Sequence, residues 1–254
     1  MKKILWLVPV ALFSLSFLAP RQEFYEIRIY HLKSNAQEKV VETYLKDAYL
    51  PALHKAGLAK VGVFKPVETD TADRKMYLLI PYSDLERMAA INELLLKDKK
   101  YLQSGKEYLD AKFDNPPFAR TESIILKAFS HHPLLETPAL KGPREDRIYE
   151  LRSYESHTEN IFRNKVHMFN EGGEVALFKR LGFNAVFYGE VLAGPRMPNL
   201  MYMTTFENKA SRDEHWKTFG ADPEWKKLSS MQEYQNNVSK IDISFLHPTE
   251  YSDF

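Results

Sequence analysis

The sequence of 254 residues contains no cysteine, only ten glycines and almost no excess of charge. Without cysteine there can be no disulfide bond, thiolate metal site or thiol nucleophile. Thirty-five basic against thirty-four acidic residues give a formal net charge of +1, which argues against a nucleic-acid partner. A Walker loop, a G-x-G-x-x-G motif and a G-x-S-x-G elbow are also missing, so nucleotide binding and serine hydrolysis lose their usual sequence support.

The first residues have the pattern of a secretory signal. Lys2 and Lys3 precede an apolar run from Ile4 to Leu18, which is shorter than the roughly 20 apolar residues that a membrane-spanning helix needs. We therefore expect residues 1–22 to be a signal peptide and the protein to be exported to the periplasm or outside the cell. The cleavage point stays open, and an uncleaved segment is the one predicted route to a membrane.

The most informative positive feature is a repeat. Phe24-Tyr25-Glu26-Ile27-Arg28-Ile29-Tyr30 reappears 124 residues later as Ile148-Tyr149-Glu150-Leu151-Arg152-Ser153-Tyr154. Gly57 and Gly182, and Met76-Tyr77 and Met201-Tyr202, match at a spacing of 125 residues. Two copies of this length indicate tandem domains rather than a solenoid.

Each copy predicts the element order strand, helix, strand, strand, helix, strand. In the first copy, period-two alternation predicts strands near Tyr25–Tyr30, Val61–Val67, Met76–Tyr82 and Thr121–Phe129. Capping-box patterns beginning at Ser34 and Ser83 predict the two helices, and Pro51 is expected to distort the end of the first.

The second copy gives the same order. Its strands are predicted at Tyr149–Tyr154, Ala185–Leu192, Met201–Phe206 and Ile241–Leu246; Thr158 opens a helix that ends at Gly182, and Asp222-Pro223 opens a short later one. We predict an α+β protein with two ferredoxin-like domains, at 23–130 and 147–254, joined by a proline-containing linker at 131–146.

The signature Tyr149-Glu150-Leu151-Arg152-Ser153-Tyr154 resembles the opening of NIPSNAP domains. Met201-Tyr202 and Asp222-Pro223-Glu224-Trp225 are similar to later parts of that family's pattern, with Asp98 and Tyr101 a weaker match in the first copy. The resemblance implies a dimeric α+β barrel, here closed within one chain. The wider superfamily includes cofactor-independent monooxygenases, haem enzymes, isomerases and dehalogenases. The first copy departs more from the pattern, so the resemblance does not establish that Glu26, Arg28 and Tyr30 still contribute to a ligand-binding site.

The signature strands supply the first candidate site. Glu26, Arg28 and Tyr30 share one strand face, as do Glu150, Arg152 and Tyr154. If the opposite, apolar faces pack under the helices, all six point into the barrel. Two interpretations stay open: cross-strand Glu–Arg pairs that close the barrel, or an Arg that holds an anionic or carbonyl group, with Glu as base and Tyr as donor.

Tyr77, Tyr202 and Tyr188 are further ligand-binding candidates on the central strands, with a core role as the alternative. The eight histidines form no i, i+4 pair on a helix, and His131 and His132 are expected to be solvated. His31 and His157 follow the two signatures and are expected near one barrel mouth. We predict no metal site and no cofactor.

These observations predict a barrel that binds a small organic ligand, with oxygenase or isomerase-type activity as an extension. The competing prediction is a non-catalytic interaction or structural protein of the cell envelope. An open cavity favours the first and a side-chain-filled barrel the second. Assembly into a homo-oligomer also stays open.

Overall fold

The computed structural model describes residues 21–254. The predicted signal peptide falls almost entirely on residues 1–20, outside the described residues. No helix within 21–254 combines the length and the apolarity needed to cross a bilayer.

Eight strands form the framework, four from each copy of the repeat. The first four are β1 (Phe24–Leu32), β2 (Gly62–Pro66), β3 (Arg74–Tyr82) and β4 (Arg120–Ala128). The second four are β5 (Ile148–Glu155), β6 (Ala185–Ala193), β7 (Asn199–Phe206) and β8 (Lys240–Pro248). All the predicted strands are present, each within a few residues of its predicted limits.

The strands close into one antiparallel barrel in the order β1-β3-β2-β8-β5-β7-β6-β4. Each half contributes a four-stranded sheet, and the two sheets join where β2 pairs with β8 and β4 pairs with β6. Closure leaves neither sheet with a fully unpaired edge. The predicted α+β fold, two ferredoxin-like units pairing within one chain, is confirmed.

Helices cover the outside of both sheets. Those of the first half are α1 (Asn35–Tyr44), α2 (Leu50–Lys55), α3 (Leu85–Leu95), α4 (Lys99–Ser104) and α5 (Lys106–Leu109). Those of the second half are α6 (Glu159–Phe169), α7 (Glu174–Arg180), α8 (Lys209–Ala221) and α9 (Pro223–Ser230).

Side-chain caps fix most helix starts. Ser34, Thr158 and Asp222 each accept a hydrogen bond from a backbone N–H of the first turn, as predicted. The start of α3 differs from the prediction, because Asp84 and not Ser83 is its cap and accepts from the Arg87 N–H. The Ser83 hydroxyl instead donates to the Asp84 carboxylate.

The distortion expected at Pro51 takes the form of a π-helical turn, Leu45–Tyr49, between α1 and α2. The ring of a proline inside a helix clashes with the carbonyl four residues earlier and removes a donor. Here the turn widens just before Pro51, so that the Leu50 N–H donates to the Leu45 carbonyl. Gly57 then ends the segment with φ of 89°.

The buried residues form three main layers. One is the barrel interior, built from residues of all eight strands, including Ile27, Leu79 and Leu151. The other two lie outside the barrel, between each sheet and its own helices. Both faces of every central strand are therefore covered.

The predicted linker packs against both halves: Leu135 bonds to Glu23 of the first half, and His132 contacts the second. His131 is exposed, as expected, but His132 is buried and lies edge-on to the Tyr188 ring, with a centroid separation of 5.2 Å. Burial lowers the pKa of His132. The expectation that both histidines are solvated is wrong for His132, because Phe129 and His132 close a tight turn that directs this ring inward.

Candidate functional site

The signature residues lie on the helix side of the sheets and not inside the barrel. In the first half, Arg28 donates to both carboxylate oxygens of Glu26, at 2.9 and 3.2 Å, and its guanidinium lies 5.5 Å from the centre of the Tyr49 ring. Tyr82 and Ser123 complete the set of donors to Glu26. The predicted orientation of Glu26, Arg28 and Tyr30 into the barrel is wrong.

The second half repeats this arrangement with more partners. Glu150 is fully buried and accepts from Arg152 at 3.0 Å, from Arg212 at 2.8 Å twice, and from the indole N–H of Trp216 at 2.8 Å. The Arg152 guanidinium also lies 4.2 Å from the Trp216 ring centre. Glu150 and Arg152 therefore lie under α8, while Tyr154 packs beside Phe169 of α6.

The Glu–Arg pairs are also not the predicted cross-strand pairs, since each joins residues two apart on one strand. A buried carboxylate needs such partners because an unpaired buried charge costs several kcal/mol. The remaining donors are helix residues for Glu150 and strand residues for Glu26, and the repeat signature alone does not reveal them.

Two of the predicted tyrosines join the second cluster. The hydroxyls of Tyr154 and Tyr202 are 2.8 Å apart, and Tyr188 stacks on Tyr202 with a centroid distance of 5.5 Å. Burial raises the pKa of Tyr154 to about 12 and raises those of Tyr188 and Tyr202 well above the usual range. These hydroxyls stay protonated near neutral pH and act as hydrogen-bonding groups.

Tyr77 and Tyr202 are not equivalent, although the Met-Tyr repeat suggested it. Arg28 pairs with Leu78 across β1 and β3, whereas Arg152 pairs with Tyr202 across β5 and β7. The structural counterpart of Tyr77 is therefore Met201. A slip of one residue reverses the face of a strand, so Tyr77 points into the barrel while Tyr202 points to the helices.

One end of the barrel is filled by aromatic rings. Tyr25 packs on Phe187 with a centroid distance of 5.3 Å, and Phe64 packs between Tyr149 and Phe254 at 5.0 and 5.9 Å. Such rings bury large areas and leave little space between them. No ligand can enter from this end without displacing them.

The other end is open and holds a cavity of about 230 Å³, which we call the barrel mouth. Strands of both halves line it. Its floor is formed by Ile29, Ile124, Leu151 and Met201, and its rim is formed by His31, Lys75, Tyr77, Glu122, Ser153, Asn199, Asp242 and Ser244, with Arg196. Of the nine predicted ligand-binding residues, only Tyr77 lines this cavity.

His31 is the centre of a charged network on one side of the mouth. Its Nδ1 lies 2.8 Å from Asp73 Oδ1, and Lys75 Nζ lies 3.0 Å from the other Asp73 oxygen. His31 Nε2 is buried and lies 3.3 Å from Glu122 Oε1 without hydrogen-bond geometry, so it makes no hydrogen bond to residues 21–254. Burial alone would raise the pKa of Asp73, but hydrogen bonds from His31 and Lys75 outweigh it and lower that pKa.

The opposite side of the mouth is neutral or internally paired. Ser153 and Asn199 exchange hydrogen bonds at 3.1 and 2.9 Å, and Arg196 forms an ion pair with Asp242. Arg196 has φ of 65°, an uncommon conformation for a residue with a side chain. The loop that carries Arg196 thereby places its guanidinium at the rim.

Sequence reasoning placed His31 at a barrel mouth, and the structure does so too. His157 is exposed in the loop after β5 and does not line the cavity. Apart from His31 and Tyr77, the rim residues were missed, although Ser153, for example, follows Leu151 at the period-two spacing of its strand. Within 21–254 no three His, Asp or Glu side chains are placed to hold a metal ion.

Comparison with known proteins supports this architecture. Residues 149–253 match the NIPSNAP family. The resemblance to NIPSNAP domains that the sequence indicates is therefore confirmed for these residues of the second half. No curated protein matches the chain.

Among solved structures, a candidate monooxygenase from Lactobacillus acidophilus is 11% identical, with a TM-score of 0.59 over 89% of this chain and 94% of that one. A candidate monooxygenase from Fusobacterium nucleatum is 8% identical, with a TM-score of 0.56 over 90% and 93%. An anthrone oxidase-like protein is 12% identical, with a TM-score of 0.53 over 91% and 93%. At these identities the likeness shows the fold alone.

Proposed function

We propose that this NIPSNAP-domain protein binds a small organic molecule in the barrel mouth. The observation that carries the proposal is the contrast between the two ends of the barrel. Aromatic rings fill one end, whereas the other has an apolar floor beneath a polar rim. Such a combination, mostly apolar walls with a few convergent polar groups, is typical of small-molecule sites.

The signature clusters do not support ligand binding in the same way. Glu150 already accepts four hydrogen bonds from protein groups, and Glu26 also has four. A ligand would have to displace these partners and leave a buried charge unpaired. We therefore place the site at Tyr77 and His31 and give Arg28 and Arg152 a structural role.

Tyr77 and Tyr202 offer a matched test, because they lie on equivalent strands and face opposite layers. The protein is titrated with phenol, indole, benzoate and cyclohexanone, and binding is followed by melting temperature and calorimetry. We expect Tyr77→Phe to weaken a bound compound that uses the hydroxyl by about three- to tenfold. Tyr202→Phe should leave binding unchanged. Equal effects of the two substitutions, or no binding by any compound, would contradict the proposal.

For activity, the mouth favours proton transfer of the isomerase type. Asp73 holds His31 through Nδ1, and the buried Nε2, 3.3 Å from Glu122, makes no hydrogen bond, so a substrate that displaces the Glu122 side chain meets this nitrogen as a general base. The oxygenase alternative draws support from the candidate monooxygenases that share this fold. On any substrate found, His31→Gln should abolish proton transfer while binding is retained.

Export belongs to the proposal as well, on the basis of the basic and apolar N-terminal residues. Fractionation of cells that express the full chain, followed by N-terminal sequencing of the product, tests it. The competing function, an interaction protein of the envelope, would gain support if no small molecule binds and the protein is instead recovered with a stable partner.

A further inference from the structure

A second cavity of about 490 Å³ adjoins the barrel mouth, and we call it the cleft. The two share Lys75, Tyr77, Ile243 and Ser244 in their linings. The cleft exists because β2 ends at Pro66, while β3 and β8 continue beyond the point where β2 pairs with them. A gap in the barrel wall therefore leads from the mouth to the outer surface.

The cleft is lined by apolar side chains, some of which are unusually exposed. Pro66, Ile148 and Phe245 line it together with Val67 and Ile243, which are 39% and 42% exposed. Isolated exposed apolar residues are ordinary, but a contiguous set beside a polar cavity is typical of a binding groove. The mouth alone is smaller than the roughly 300 to 1,000 Å³ of most ligand pockets, whereas the cleft lies within that range.

Two hydroxyls lie at the junction of mouth and cleft. Tyr77 and Ser244 line both cavities, and neither side-chain hydroxyl forms a hydrogen bond to another residue of the described chain. Both hydroxyls are accessible, because they are not among the buried polar atoms that lack partners. They are therefore free to bond a ligand at the point where an apolar chain would leave the cleft.

The charges around the junction favour an uncharged ligand group. Lys75 is paired with Asp73, and Lys209 is paired with Asp213 at 2.7 Å. The carboxylates of Glu68 and Asp70 also line the cleft. An anionic head group would meet these carboxylates while the nearby cations already have partners, whereas a carbonyl or hydroxyl needs only the two free hydroxyls.

We propose that the site takes an elongated amphiphile, with an uncharged carbonyl or hydroxyl head at Tyr77 and Ser244 and an aliphatic chain in the cleft. This inference rests on the proposed function, since it names the class of ligand for the same site. It assigns the exposed apolar residues Val67 and Ile243 to recognition of the chain.

The test uses methyl ketones of increasing chain length, namely hexanone, octanone and decanone, with octanoate as the charged counterpart. We expect the affinity measured by calorimetry to rise about fourfold for each methylene that enters the cleft. Octanoate should bind more weakly than octanone.

Val67→Ser and Ile243→Ser should each reduce the gain in affinity with chain length. Ile241→Ser is the matched control, because Ile241 is 47% exposed, lies two residues from Ile243 on the same strand and does not line the cleft. The control should leave the whole series unaffected.

The outcomes separate the two proposals. If the phenol, indole, benzoate and cyclohexanone panel binds but the ketone series shows no dependence on chain length, the cleft proposal is wrong and ligand binding at the mouth stands. Octanoate binding as tightly as octanone would overturn the uncharged head group. If neither the ketones nor the small aromatic compounds bind, both proposals fail.

Discussion

The two halves of this molecule share a framework and differ at the barrel mouth. Strand pairing makes His31 equivalent to Glu155, Lys75 to Asn199 and Tyr77 to Met201. The first half thus places an imidazole, an ammonium and a phenol at the mouth, whereas the second half places an amide and a thioether there and its Glu155 does not line the cavity. On the helix side the Glu–Arg pair is present in both.

This difference separates the structural and functional parts of the repeat. The Glu–Arg signature that relates the halves forms buried ion pairs under the helices. Any copy of this fold that carries these two residues must pair their charges, because an unpaired buried charge is costly. The residues that could do chemistry lie on the opposite strand faces and have diverged. The half that departs more from the NIPSNAP pattern therefore contributes His31, Lys75, Tyr77 and Glu122, while the second half contributes Asp242 and Arg196, which pair with each other.

The largest expected effect comes from removing the charge of each buried glutamate, which tests whether the two Glu–Arg clusters contribute equally to the free energy of unfolding. Glu150→Gln should lower the free energy of unfolding by about 3–5 kcal/mol, because it leaves Arg152 and Arg212 without a buried counter-charge. Glu26→Gln should cost less, since the Arg28 side chain is 19% exposed against 10% for Arg152 and water can solvate it. Urea denaturation of both variants measures the difference, and a larger loss for Glu26→Gln would contradict it.

A second comparison asks whether either arginine binds a ligand. Arg28→Met should lower stability by roughly 2–4 kcal/mol, because it leaves Glu26 without its arginine partner, and Arg152→Met should lower stability by less, because Arg212 and Trp216 still donate to Glu150. Neither should change the affinity of a compound bound at the mouth, since neither residue lines that cavity. A selective loss of binding in Arg152→Met, with stability unchanged, would return the site to the signature cluster.

The sequence predicts the fold well and the site poorly, for one physical reason. Period-two alternation shows that Glu26 and Arg28 share a strand face, but in a barrel covered by helices both faces are buried, so the pattern does not show which face is inside. Every residue of β5 from Ile148 to Tyr154 is buried. The similarity of the two Met-Tyr pairs likewise did not show the strand register. The pairs are offset by one residue between the halves, so Tyr202 faces the helices while Tyr77 faces the barrel interior.

His132 tests whether the connecting segment is anchored to the second half. Its pKa is lower when folded than in the unfolded chain, so the unfolded state binds more protons between these two values. Stability should therefore be complete above the usual histidine pKa of about 6.5 and decline as the pH falls through it. His132→Phe should remove this component, whereas His131→Gln, at an exposed position, should keep it. Urea unfolding curves measured across this pH range test the prediction. If the stability of His132→Phe declines with pH as much as that of the unaltered protein, burial of His132 does not cause the decline.

The smallest expected effect is at the two glycines that end equivalent helices. Gly57 and Gly182 have φ of 89° and 74°, and the following residues, Leu58 and Phe183, each donate to a carbonyl five residues back. This is the Schellman arrangement, which favours glycine because a side chain strains the left-handed conformation. Alanine at either position should cost about 1 kcal/mol. A Cβ at Gly57 has open space, while one at Gly182 lies 3.5 Å from the His215 ring, an ordinary contact. We therefore expect nearly equal losses in melting temperature, and a much larger loss at one site would show that the two helix ends are not equivalent.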